Sequence, residues 1–508
     1  MRTRRQGKVS QLLLVAIALA LVASACANSD ASGSDEAQAE EGTHTDDGGV
    51  GGTSSPTITV AEVPDAETET PTAFVDLTLE EKIEVFLGQP NSSLASNIAA
   101  DMALDGDPRW GPWLLDLLRL GPSNTTDEQV AGAMSIISRI PREPDQAINE
   151  DYRTYGQWVY DEAIDPGPGY REWKKALYGP IDEDFPALLD SIRDDLTLSR
   201  VQWGGVGRGG IPELNQPARV SAAEADWMVD DEVVFGAVVD GVAVAYPFRI
   251  LGHHELANDI IGDIPVALVF CTLCRTALLF GRQVEGQILD FQTSGMLINS
   301  NKIMVDIQTD TLWSHLEAVG LGGTHVGVDL GQFPLETTTW GDWVEAHPDT
   351  EVLDIPDVIF SDNPEQPPIV YDYEPGAAYR FYYDDPDVWF PILDTPTDDI
   401  ALKEAVVGLD LNGEHLAVTV DGIVASGPRV FEVGGQAILL VPTGSAGARA
   451  YDASGSSLAD GDAPSVVTAD ESTAILDDGS EVARMIVDQG LWFAWFGNHP
   501  ETDWWPRS

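Results

Sequence analysis

The chain repeats itself, and the repeat restricts its C-terminal part to one β architecture used twice. Val234-Phe235-Gly236, with Asp240-Gly241 and Ala245, is matched by Val406-Val407-Gly408, with Asn412-Gly413 and Ala417, every pair 172 residues apart. Asp-Gly and Asn-Gly between alternating apolar residues favour a two-residue turn with positive φ, so both stretches are expected to be β-hairpins. Farther along, Trp340-x-x-Trp343-x-x-x-His347-Pro348 returns as Trp492-x-x-Trp495-x-x-x-His499-Pro500 at an offset of 152. The shorter offset means that the second copy lacks residues between these landmarks. Two tandem copies of one mostly-β domain follow, over 211–355 and 378–508.

The part preceding them has a different periodicity. Thr78-Leu79-Glu80-Glu81 is a capping box leading into Ile83, Val85, Phe86 and Leu87, Pro112 begins an apolar run through Leu118, and Thr126 caps a segment carrying Val130, Met134 and Ile137. Short helices paired in this way predict an α-helical domain over 74–203, HEAT-like or an ordinary small helical bundle. The fold class is thus multi-domain α+β: an N-terminal helical segment followed by two tandem β-rich repeats. The glycine-rich stretch Gly204 to Gly210 lies between them and reads as a flexible junction, since no strand-then-helix context makes it a phosphate loop.

Residues 27 to 72 contain no Lys or Arg and eleven Asp or Glu. With the adjoining positions they form an acidic tether, 26–73, that has nothing from which to build a core. Ahead of it, Arg2, Arg4, Arg5 and Lys8 precede an apolar run from Leu12 to Val22 that ends in Ala23-Ser24-Ala25-Cys26. This is the pattern of a signal peptide, 1–25, closing on a lipobox, with Cys26 as the lipidated residue. The expected location is extracytoplasmic, with the lipid as the membrane contact and the helical segment as the surface for an envelope protein partner.

A formal net charge of −57 and only six lysines exclude nucleic acid as a partner, because phosphate binding needs clustered cations. Nucleophile-elbow, zinc-protease and phosphate-loop motifs are missing, which leaves catalysis open.

Soft ligands cluster in one place. His253-His254-Glu255 is followed, after a short interval, by Cys271-Thr272-Leu273-Cys274. Cys271, Cys274, His254 and a fourth group such as Met304, Met296 or Glu255 would suit tetrahedral zinc or a softer copper(I) site. Glu255, Asp259, Asn299 and Asp306 are the candidates for outer partners that orient the ligands. Two alternatives stand beside metal binding. Arg275 and His254 could lower a thiol pKa for thiol–disulfide redox chemistry. The two cysteines could instead be a structural disulfide, with the paired tryptophans as a carbohydrate platform or, as their helical spacing suggests, simply core. His315, a lone histidine, reads as a hydrogen-bonded residue more readily than as a ligand, and His347 and His499 read as turn residues holding tryptophans. The repeat supplies an internal control. At the offset of 172, Ala425, Ser426 and Gly427 stand opposite His253, His254 and Glu255, and Thr443 and Ala446 opposite Cys271 and Cys274. The second copy keeps the framework without the ligands.

The stretch from Gly241 to Glu351 resembles the bacterial and archaeal family catalogued as domain of unknown function 3179. The residues that carry the likeness are Ala245-Tyr246-Pro247-Phe248-Arg249, His254-Glu255, Asn258-Asp259, Pro265-Val266, Cys271-Thr272-Leu273-Cys274, Ser294-Gly295, Asn299-Ser300, Met304, Asp306, Thr309 and Trp313-Ser314. Thr272 and Arg275 stand where the family carries proline and glycine, which places a cation beside the thiols. The resemblance implies an architecture and a pocket but no reaction.

Overall fold

At the start of the helix Leu79–Gly88, Thr78 and Glu81 close the capping box: the Glu81 amide donates to Thr78 Oγ1 at 3.2 Å while Glu81 Oε2 accepts from the Thr78 amide at 2.7 Å. The computed structural model describes residues 78–88, 93–120, 124–143, 146–356, 370–393, 396 and 400–506. The expected signal peptide, the expected acidic tether and Cys26 lie outside the described residues.

Helices populate the N-terminal part, from Leu79–Gly88 to Asp195–Arg200. Their core includes a charged pair. Asp116 on the helix Trp110–Leu120 accepts from Lys174 Nζ at 2.8 Å and from the Tyr170 hydroxyl at 2.7 Å, all fully enclosed. Burial pushes the Asp116 carboxyl up and the Lys174 ammonium down, and each charge partly offsets the other. None of the helices among the described residues is long and apolar enough to cross a membrane.

The rest is β-rich: among the described residues, five sheets of four to six strands are set in a propeller-like ring, with one further two-stranded sheet. Two of these sheets share one plan. In one, Glu336–Thr339, Val233–Val239, Val242–Pro247 and Glu351–Leu353 lie side by side, the first two junctions antiparallel and the last parallel. In the other, Asp488–Leu491, Ala405–Leu411, Glu414–Thr419 and Asp503–Trp505 follow the same order and the same senses. Both expected hairpin turns form, with φ of 51° and 75° at Asp240 and Gly241 and of 52° and 81° at Asn412 and Gly413.

The tryptophans are core. Trp343 and Trp495 are buried, each indole N–H donates to a threonine hydroxyl (Thr350 or Thr502), and each ring lies flat on a glycine, Gly236 or Gly408. They offer no carbohydrate platform. The glycine-rich junction is hydrogen-bonded rather than loose: the Gly204 and Gly209 amides donate to the Gly295 and Thr293 carbonyls at 2.8 and 2.9 Å. A side chain at Gly295 would meet the Val206 carbonyl, so these glycines serve close backbone approach.

The strand Ile264–Cys271 positions the site. Its neighbours on both sides are antiparallel strands, Leu256–Ile261 and Thr276–Gly281. Val266, Leu268 and Phe270 enter one core with Phe235 and Tyr246, while Ala267 and Val269 enter another with Phe280, Met304 and Trp313. Burial on both faces explains the unbroken apolar run. Alternation carries Cys271 to the face of Ala267 and Val269.

Candidate metal centre

Cys271 ends its strand and pairs with Thr276, so Thr272-Leu273-Cys274-Arg275 forms the tip of a hairpin. Arg275 takes a φ of 52°, a left-handed conformation that glycine adopts at lower cost. Its guanidinium lies over the rings of Phe248 and Tyr383, 5.8 and 5.7 Å from their centroids, a stacking arrangement that engages the cation with aromatic faces. The backbone of the tip is held from the second β-rich segment, where the Leu491 amide donates to the Cys274 carbonyl at 2.9 Å.

The imidazole that joins the thiols is His315. One ligand atom from each of Cys271, Cys274 and His315 lies within 4.8 Å of the others, and all three residues are buried. His315 follows the strand Leu312–Ser314, which pairs with Asn301–Asp306. Its Nε2 sits 3.1 Å from the Val269 carbonyl, and a carbonyl can only accept, so Nε2 carries the proton. Nδ1 is left buried with its lone pair, without a hydrogen-bond partner among the described residues. Burial drives the imidazolium pKa down to about 3, with Lys302 adding repulsion, so the ring is neutral at physiological pH.

Both cysteines are free thiols, unjoined by a disulfide. They do not ionise alike. Burial raises Cys271, but hydrogen bonds from Cys274 and from the Lys302 backbone outweigh it and bring the thiol below its ordinary value. Burial and the neighbouring Cys271 push Cys274 well up. Two thiolates side by side in this enclosure therefore need a cation.

His254 is committed elsewhere. Nδ1 is 2.8 Å from the Pro212 carbonyl and Nε2 is 2.7 Å from the Tyr373 hydroxyl, so both nitrogens are used and the ring stacks on Tyr373. The thiol group is completed by His315 instead. Met304 lies in the apolar cluster with Phe280 and Trp313.

The expected outer partners divide. Glu255 borders the loop, accepting from Thr272 Oγ1 at 2.7 Å and pairing with buried Lys302. Asp259 is bound to Tyr246 and Arg219, and Asp306 accepts from Thr309 and from the Trp313 indole at 3.0 Å, each holding local structure. Asn299 and Ser300 have φ of 51° and 55° and form the two-residue turn before Asn301. Asn301 reaches the site itself: its Nδ2 is 2.8 Å from Cys274 Sγ.

Lys302, Tyr382 and Tyr383 had no sequence signal. The helix Arg380–Asp384 covers the loop, and the Tyr383 hydroxyl donates to the Thr272 carbonyl at 2.6 Å. Tyr382 is buried, and its hydroxyl has no hydrogen-bond partner among the described residues. Burial, reinforced by the neighbouring Cys274 and Cys271, pushes that hydroxyl far above its ordinary pKa.

The fold and site together define an α+β protein with an enclosed dithiol–imidazole cluster geometrically able to hold a metal ion. The model of the family described as Protein of unknown function (DUF3179) matches residues 208–502, across both β-rich segments, and the chain belongs to that family. No curated protein and no solved structure matches.

Proposed function

We propose that the protein binds one thiophilic metal ion, copper(I) or zinc, through Cys271, Cys274 and His315. The observation that carries this reading is the orphaned Nδ1 of a buried, neutral imidazole whose other nitrogen is fixed on Val269, set beside two free thiols. A buried acceptor without a partner costs on the order of 1–3 kcal/mol, and a bound ion removes that cost. The ion also supplies the positive charge that would allow both sulfurs to ionise. Three such ligands satisfy copper(I), whereas zinc would keep a fourth position.

The wider reading is of an extracytoplasmic lipoprotein tethered through Cys26, with 74–203 as a HEAT-like surface for an envelope partner. The β-rich part then comprises tandem copies over 211–355 and 378–508. The matching strand order of the two sheets supports the duplication. The leader composition supports export.

The unequal ionisation of Cys271 and Cys274 also favours a second reading, dithiol redox exchange. Against it, Cys271 and Cys274 are 2 % and 0 % exposed, which denies a partner disulfide its in-line approach.

Elemental analysis of the purified protein after loading with zinc or copper(I), alongside a Cys271→Ser/Cys274→Ser variant, tests the proposal. One equivalent of metal that shields both thiols until a chelator is added is the expected result. No stoichiometric metal, with thiols that instead cycle with a dithiol reductant, would overturn it in favour of redox exchange.

A further inference from the structure

The second β-rich segment carries a separate group of ligands. Asp410 and His415 face each other across the Asn412-Gly413 hairpin, and His499 comes from the turn after the helix Trp492–Phe496. The two imidazole centroids are 4.4 Å apart, and one ligand atom from each of the three residues lies within 4.8 Å of the others. Both histidines line a cleft of about 390 Å³ together with Glu414, Glu501 and Asp503. We infer that Asp410, His415 and His499 form a second metal site, for a divalent transition-metal cation, with its remaining coordination positions open to the cleft.

Three observations carry this. His415 Nδ1 is buried and makes no hydrogen bond among the described residues, although Asp410 Oδ1 lies only 3.2 Å away. Two donor atoms each about 2.0–2.1 Å from a tetrahedral zinc stand about 3.3 Å apart, so the pair already has the spacing of neighbouring ligands. His499 is held in place without the ion: its ring packs on Trp495 at 4.1 Å, and the Trp495 indole is fixed by its bond to Thr502. Finally, His347 packs on Trp343 at the same 4.1 Å, yet the residues facing each other across that unit's hairpin are Val238 and Ala243. The turn histidine thus serves packing in both places, whereas the Asp410–His415 pair is extra to the fold. Imidazole ligands select zinc, nickel or copper over the magnesium and calcium that such an acidic chain also attracts.

This site stands independently of the dithiol centre, so it is tested where that centre is absent. The full chain carrying Cys271→Ser and Cys274→Ser is dialysed against zinc in excess magnesium. One bound equivalent is expected, with affinity falling at least tenfold on His415→Ala and the melting temperature of the metal-free protein unchanged. If the serine variant is unstable, the same His415→Ala change in the native chain is expected to lower bound zinc by one equivalent. No zinc in the serine variant, or binding indifferent to His415→Ala, overturns the proposal.

Discussion

Asn301 directs its side-chain amide at Cys274, with Nδ2 2.8 Å from Sγ. The bond joins two hairpins, because Asn301 opens the strand Asn301–Asp306 and Cys274 lies in the tip after Ile264–Cys271. An N–H donor stabilises sulfur as thiolate, the form that ligates. Asn301→Ala is expected to weaken metal affinity by about 10–100-fold, the usual effect of losing an outer partner. Asn301→Asp should weaken it further by placing a carboxylate against sulfur. Competition with a chromophoric chelator measures both.

His254 and His315, both buried in the first β-rich segment, should separate cleanly. His315→Ala is expected to abolish stoichiometric metal binding. His254→Ala is expected to retain the metal while losing about 1–3 kcal/mol of stability, since it leaves the Pro212 carbonyl and the Tyr373 hydroxyl unpaired. Metal content and urea midpoints on the two variants check this. Metal lost from the His254 variant alone would reverse the assignment.

Gly236 and Gly408 each lie beneath a tryptophan. A Cβ at these positions would sit 2.3 Å from Trp343 and 2.1 Å from Trp495, closer than packed atoms approach. Gly236→Ala and Gly408→Ala should each cost roughly 1–3 kcal/mol through overpacking, read from denaturant midpoints at unchanged slope.

Asp127 introduces a pH dependence. Its Oδ1 is buried without a partner among the described residues, and burial, with Glu128 adjacent, pushes the carboxyl up to about 7. A folded-state pKa above the unfolded value of about 3.9 means that the native state holds the proton more tightly. The stability from this group is therefore full below about pH 4 and lost as pH rises through about 7. Relative to the native chain, Asp127→Asn should be more stable at pH 8, with the difference shrinking toward pH 4. Melting curves across that range test it.

Local chemistry was legible where a few adjacent residues set the outcome. The Asp240-Gly241 and Asn412-Gly413 turns, the Thr78–Glu81 cap and the placement of Cys271 at a strand end all follow from backbone preferences and short-range hydrogen bonds. Pairing the thiols with His254 followed nearness along the chain, and there the reading departs from the structure. Sheet packing turns that residue toward Tyr373 and brings His315 to the sulfurs from a different hairpin. Neither Lys302 nor Tyr382 carries any periodicity or motif that would mark it.

By itself, the order of residues determined the helical beginning, the β-rich remainder, the hairpin turns and the two cysteines spaced to share one loop, because these depend on interactions spanning a few positions. Only the tertiary structure decided which imidazole faces the sulfurs, which asparagine touches them and which strand seals their loop. Those choices depend on how separate sheets stack, and the energy of stacking is summed over whole buried faces that no single segment contains.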